Sequence, residues 1–203
     1  MRPGFLLIAI VTSFAFLSFD LIAKPVKFVG VQSCSMGICH GSKKTGDAFK
    51  KWKSTKHSGA YDTLGTARAK ELAKTVNVTG DPQQSIECLI CHSAGAGVSK
   101  DLIKKSFFKA KKEIRSGKEN GVQCENCHGP GSLYKNKMKK LRKERLAGGN
   151  ELAKKYGLTR PTEQTCKQCH VAEIKVNGVT YKNPAFKPFD YKERVKKILH
   201  PMP

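Results

Sequence analysis

The chain's eight cysteines fall in just four short segments, and each segment ends in Cys-His. Three read C-x-x-C-H: Cys88-Leu89-Ile90-Cys91-His92, Cys124-Glu125-Asn126-Cys127-His128 and Cys166-Lys167-Gln168-Cys169-His170. The fourth, Cys34-Ser35-Met36-Gly37-Ile38-Cys39-His40, has four residues between its cysteines. This is the spacing of c-type haem attachment. Paired thiols add across the two vinyl groups of a haem, and the histidine that follows is held against the iron as its proximal ligand. A wider loop can bulge outward while both sulfurs still reach the vinyls, so the first segment fits the same reading. Zinc sites and redox dithiols also use C-x-x-C, but neither requires a histidine after every second cysteine. The sequence thus predicts four covalently bound haem c groups, on Cys34 and Cys39, Cys88 and Cys91, Cys124 and Cys127, and Cys166 and Cys169. His40, His92, His128 and His170 are the proximal ligands, and no cysteine remains for a disulfide.

That density dictates the architecture. A chain with so many porphyrins per residue cannot enclose them in a side-chain core, so the porphyrins must themselves be the core. The expected fold is mainly α: a small multihaem cytochrome with short helices and loops wrapped around four closely packed haems, and little sheet. Ala67 to Val76 is rich in helix formers. Leu133 to Leu146 is lysine-rich with Leu133, Met138, Leu141 and Leu146 as apolar members, and Gly148-Gly149 ends it. Asp190 to His200 carries Val195, Ile198 and Leu199 on one side, with Asp190 and Glu193 as a capping box and Pro201 placing His200 at the helix end. Val176-Asn177-Gly178-Val179 reads as a hairpin turn.

The N-terminus, with Arg2, an apolar run from Phe5 to Phe19 and then Ala23, reads as a signal peptide over residues 1–23, cleaved after Ala23. The run is shorter than the roughly 20 residues that span a bilayer. Residues 24–203 are then a single tetrahaem cytochrome c domain in a periplasmic or equivalent extracytoplasmic compartment. With 38 Lys and Arg against 16 Asp and Glu, the formal charge is +22. Such a surface attracts nucleic acid, anionic lipid or an acidic protein. Export and the lack of an aromatic-lined platform argue against nucleic acid. An acidic redox partner is the first expectation and association with a membrane surface the second, although runs such as Lys111-Lys112 and Lys139-Lys140 also serve simple solubility.

Only six histidines are present, so after the four proximal ones His57 and His200 alone remain as distal ligands. At least two irons therefore carry methionine, lysine, water or an open position. Met36, Met138 and Met202 are the methionine candidates.

These residues resemble the cytochrome c-554 family, whose motifs recur in larger multihaem nitrogen-cycle enzymes. The most specific match is Gly121-Val122-Gln123 leading into the Cys124 motif, with Gly129-Pro130-Gly131 after it. Trp52-Lys53-Ser54-Thr55-Lys56-His57 resembles the family's Trp-x-x-Thr-x-His distal-ligand segment, and Phe189-Asp190 through His200 its C-terminal distal-histidine helix. The resemblance implies a mostly helical fold with haems in stacked and edge-on pairs, His57 and His200 as distal ligands, and one five-coordinate haem, at Cys88 and Cys91. The first motif departs from the family by its longer spacing. The family also places a distal histidine ten residues after the proximal histidine of the Gly-Pro-Gly motif, and here that position is Met138. Met138 is therefore expected at the first haem, His57 at the third and His200 at the fourth.

Electron transfer is the leading function. The resemblance implies a donor such as a multihaem hydroxylamine-type oxidoreductase and delivery toward the membrane or a soluble acceptor. A haem enzyme acting on a small nitrogen oxide at an open iron ranks second, because no acid/base set marks a substrate site. A subunit of a haem filament ranks third, because shared bis-histidine haems need more histidines than the chain has.

Overall fold

The computed structural model describes residues 28–37, 39–94, 121–143 and 149–200. The signal segment and Met202 lie outside these. Two single-turn 3-10 helices, Val31–Ser33 and Lys43–Thr45, precede α1 (Ala48–Lys53), α2 (Ala60–Leu64), α3 (Ala67–Thr75) and α4 (Ile86–His92). Then come α5 (Cys124–His128), α6 (Gly131–Lys143), α7 (Gly149–Lys154), α8 (Glu163–Lys167), the strands β1 (Glu173–Val176) and β2 (Val179–Lys182), and α9 (Tyr191–Lys196). The chain is mainly helical, and its sheet among the described residues is this one hairpin.

Local chemistry explains these boundaries. Thr66 caps α3, its Oγ1 accepting from the Ala69 N–H at 3.2 Å. β1 and β2 pair antiparallel with Val176 opposite Val179. The two residues between them, Asn177 (φ 55°) and Gly178 (φ 84°), take the left-handed conformation that a two-residue hairpin turn requires. Asp190 caps α9, accepting from the Glu193 N–H at 3.2 Å. The reciprocal half of the expected box is replaced, because the Glu193 carboxylate pairs with Lys196 at 2.7 Å. α9 is also shorter than expected. It stops at Lys196, and a turn over residues 197–198 separates it from His200. α6 covers the Leu133 stretch as far as Lys143, and Leu146 falls outside the described residues.

Side-chain burial is sparse and local. Leu64 and Leu89 form a small core with Tyr61, Ile86 and Cys88, joining α2 to α4. A second junction is polar. Residues 29–31 run across α5 and donate backbone N–H groups to Glu125 and Gln123. A third stitches the segment before α5 to the turn after α1: the Trp52 Nε1–H donates to the Val122 carbonyl at 2.7 Å, and the Val122 N–H donates to the His57 carbonyl at 2.9 Å. Gly121 has room for no side chain there, since a Cβ would meet the His57 and Ser58 carbonyls.

Candidate haem centres

Three motifs ride on short helices. Ser85 precedes α4 and Gln123 precedes α5, both in extended conformation, while Thr162 caps α8. α8 hands on to a turn in which the His170 N–H donates to the Cys166 carbonyl at 3.0 Å. Each such turn sets two cysteines and a histidine on one side. The first motif closes differently. The Met36 carbonyl accepts from the N–H groups of Cys39 (2.7 Å), His40 (3.1 Å) and Gly41 (3.1 Å). Cys39 and His40 are thereby folded back onto the Met36 carbonyl. The Met36 side chain is exposed.

Each of the eight cysteines is partly buried. Burial pushes the Cys88 and Cys127 thiols up to about 11. Motifs distant in sequence meet through these sulfurs. Cys34 is hydrogen bonded to Cys124 and its thiol is held far above the ordinary range, while Cys91 and Cys169 form a second such pair. Cys127 feels the Cys166 thiol electrostatically. First to third, third to fourth and fourth to second, the attachment sites stand in a row.

Two of the proximal-candidate histidines, His92 and His128, are held by backbone carbonyls. In the tautomer with its proton on Nδ1, His92 donates to the Ala60 carbonyl at 2.9 Å and His128 to the Thr159 carbonyl at 3.1 Å. Nε2 is left free for a metal and ring orientation is fixed, the usual support of a ligating imidazole. Burial lowers the pKa of His57, His128 and His170, with the neighbouring His170 adding to the effect at His57. The neutral imidazole, the form that binds metal, is favoured. Phe189 stacks on the His170 ring at 4.4 Å.

Ring pairs test the fit to haem iron. Two imidazoles on opposite sides of one iron, each about 2 Å from it through nitrogen, have ring centres roughly 6 Å apart. His57 and His170 stand 6.1 Å apart and His128 and His200 5.9 Å apart. The donor set and its spacing fit the group. The ring neighbours differ from the order anticipated. His57 stands nearest the fourth motif's histidine and His200 nearest the third's, while His57 also lines the cleft at Cys124, Cys127 and His128. The turn after α1 is fixed by Trp52 and Val122 with the His57 ring toward His170. The chain beyond α9 returns His200 to a cleft lined by Cys124, Cys127, Arg160 and Leu199.

A cavity of about 210 Å³ adjoins the second motif, between α3, α4 and β2. Leu72, Val76, Val78 and Ile174 line it beside Cys88, Cys91 and His92, and among the described lining residues there is no second histidine and no methionine. Met138 is half-buried on α6. Lys135, three residues earlier on that helix, reaches the Ser33 Oγ next to Cys34 at 3.3 Å. The carbonyls of Ala60 and Thr159 and the buried Glu125 were missed by sequence reasoning. Backbone acceptors leave no mark in a sequence, whereas a glutamate between the two cysteines of an attachment motif was a visible signal.

Paired cysteines with an adjoining histidine, repeated in four motifs, are the donor set that covalent haem c uses in c-type cytochromes. Residues 33–129 match the family model described as cytochrome c554 and c-prime. The curated cytochrome c-554 of Nitrosomonas europaea is 30% identical over 168 residues, 78% of this chain and 63% of that protein. The chain therefore spans less than two thirds of that relative's length. The solved reduced state of cytochrome c554 from Nitrosomonas europaea superposes with a TM-score of 0.47 at 25% identity, covering 85% of this chain and 78% of that one. The resemblance to the cytochrome c-554 family drawn from the motifs holds.

Proposed function

We propose that the chain is an exported, periplasmic tetrahaem electron carrier, with residues 24–203 as one domain, that relays electrons between a redox enzyme, such as a hydroxylamine-type oxidoreductase, and a membrane or soluble acceptor. When bound, haem supplies reversible one-electron exchange at iron. The cysteines of the four motifs hold the four groups. His40, His92, His128 and His170 are proximal ligands, His57 is distal to His170, His200 is distal to His128, and Met138 is the distal candidate at the first motif. The observation that carries the proposal is the meeting of the four attachment sites in one continuous row, which suits passage of charge through the molecule better than chemistry at a single centre. The net charge of +22 supports docking on an acidic partner. Low-temperature paramagnetic resonance during a redox titration tests the reading. Four one-electron steps and two bis-histidine signals are expected, and a single redox-active iron per chain would refute it.

A second reading, small-molecule chemistry at an open iron, draws on the cavity at Cys88, Cys91 and His92. Cyanide or nitric oxide binding to one haem in four is expected. Absence of turnover with nitrogen oxides would leave the carrier reading alone.

A further inference from the structure

Among the described residues Glu125 is the largest fully buried side chain, 2% exposed, although it is a carboxylate. It lies between the cysteines of the third motif, yet it does not face solvent. Its two oxygens accept from three backbone N–H groups: Val29, bifurcated over both oxygens (2.8 and 3.0 Å), Gly30 (2.8 Å) and Gly131 (2.6 Å). A parallel strap runs from the Val31 N–H to the Gln123 Oε1 at 2.6 Å. Val29 to Val31 lead directly into Cys34, whose thiol contacts Cys124 and feels the Glu125 charge.

Burial pushes the Glu125 carboxyl up, and the Val29, Gly131 and Gly30 N–H groups oppose it. A proton on the carboxyl would turn one acceptor oxygen into a donor facing those N–H groups, so the donor set favours the anion. Charge-assisted bonds of this kind are short and strong. Lys135, the basic residue that acts on Glu125, is bonded to the Ser33 Oγ at 3.3 Å and leaves the carboxylate to the backbone donors. Packing around it is tight. A Cβ on Gly131 would lie 2.6 Å from the Val29 Cγ2 and 2.9 Å from the Glu125 Oε1, so glycine is required where the third donor approaches.

We propose that Glu125 is a positioning residue that fixes the first attachment segment against the third and, as a buried anion between them, holds the potentials of those two haems below the values they would take beside a neutral side chain. This rests on the tetrahaem carrier reading. An anion in a water-poor interior favours the more positive oxidised iron, and local charge is among the determinants of haem potential. Its effect falls on the first and third sites, the two beside it, more than on the second and fourth.

The test uses the native haem-loaded protein and its Glu125→Gln and Glu125→Asp variants. Haem content is measured first. Fewer than four haems in the wild type would sink the carrier reading, whatever Glu125 does. Glu125→Gln keeps the shape and removes the charge, and it is expected to raise two of the four midpoint potentials while the other two stay. Glu125→Asp keeps the charge but shortens the reach. It is expected to hold the potentials near wild type while the Val29, Gly30 and Gly131 amides exchange at least tenfold faster. Unchanged potentials in Glu125→Gln, or an equal shift of all four, would overturn the proposal. If neither variant assembles, amide exchange in the wild type decides. Protection of those three amides comparable to α5 supports the clamp, and exchange at loop rates overturns it.

Discussion

Gly121→Ala probes the stitch that aims His57. An added Cβ would lie 2.6 Å from the Ser58 carbonyl oxygen, and closer still to that of His57. Ordinary contact begins near 3.4 Å, so one backbone must retreat by at least about 0.8 Å. Neither side can yield cheaply, because both contacts are carbonyls and the Val122 N–H and Trp52 Nε1–H bonds lock the two segments together. Overpacking of this kind costs about 1–3 kcal/mol. At roughly 2–4 °C per kcal/mol for a chain of this size, the midpoint of unfolding falls by roughly 2–12 °C. The larger consequence is at the site. An iron–nitrogen bond of about 2 Å cannot absorb such a retreat, so a bis-histidine centre between His57 and His170 should gain high-spin character. Paramagnetic resonance and visible spectra of the oxidised variant would display one converted centre, the others unchanged. An unaltered spectrum together with an unaltered melting temperature would refute the claim that this stitch aims His57.

His57→Ala should convert the haem attached at Cys166 and Cys169 to high spin, and His200→Ala the haem at Cys124 and Cys127. The opposite assignment would reinstate the order expected from the sequence. Trp52→Phe removes the 2.7 Å bond to the Val122 carbonyl, and a loss of about 1 kcal/mol in denaturant unfolding is expected. Electron exchange with an acidic redox partner should slow steeply as salt shortens the screening length toward about 8 Å and below. A rate independent of ionic strength would remove steering by the basic surface.

What could be read from the sequence was what local chemistry decides. Covalent attachment needs two thiols and a histidine within one turn, so all four motifs were plain, including the wide first one whose loop closes on the Met36 carbonyl. The Asn177-Gly178 turn and the α3 helix followed from backbone preferences of single residues. Distal pairing did not, because His57 and His170 are joined only by the path of the chain in space. α9 was overextended for a related reason. Its apolar side continues through Leu199, but the helix ends at Lys196 and Leu199 is left largely exposed at the rim of the cleft beside His200. Glu125 was seen as part of a motif, and its role as a clamp depends on backbone N–H groups more than ninety residues away in sequence.

Porphyrins bound through paired thioethers take the place of a side-chain interior in the proposed carrier. Intact mass of the native protein is the decisive measurement. The expected mass is the polypeptide beginning at residue 24 plus four haem increments, resistant to acid extraction. The bare polypeptide mass, or a chain holding zinc in place of iron, would contradict it.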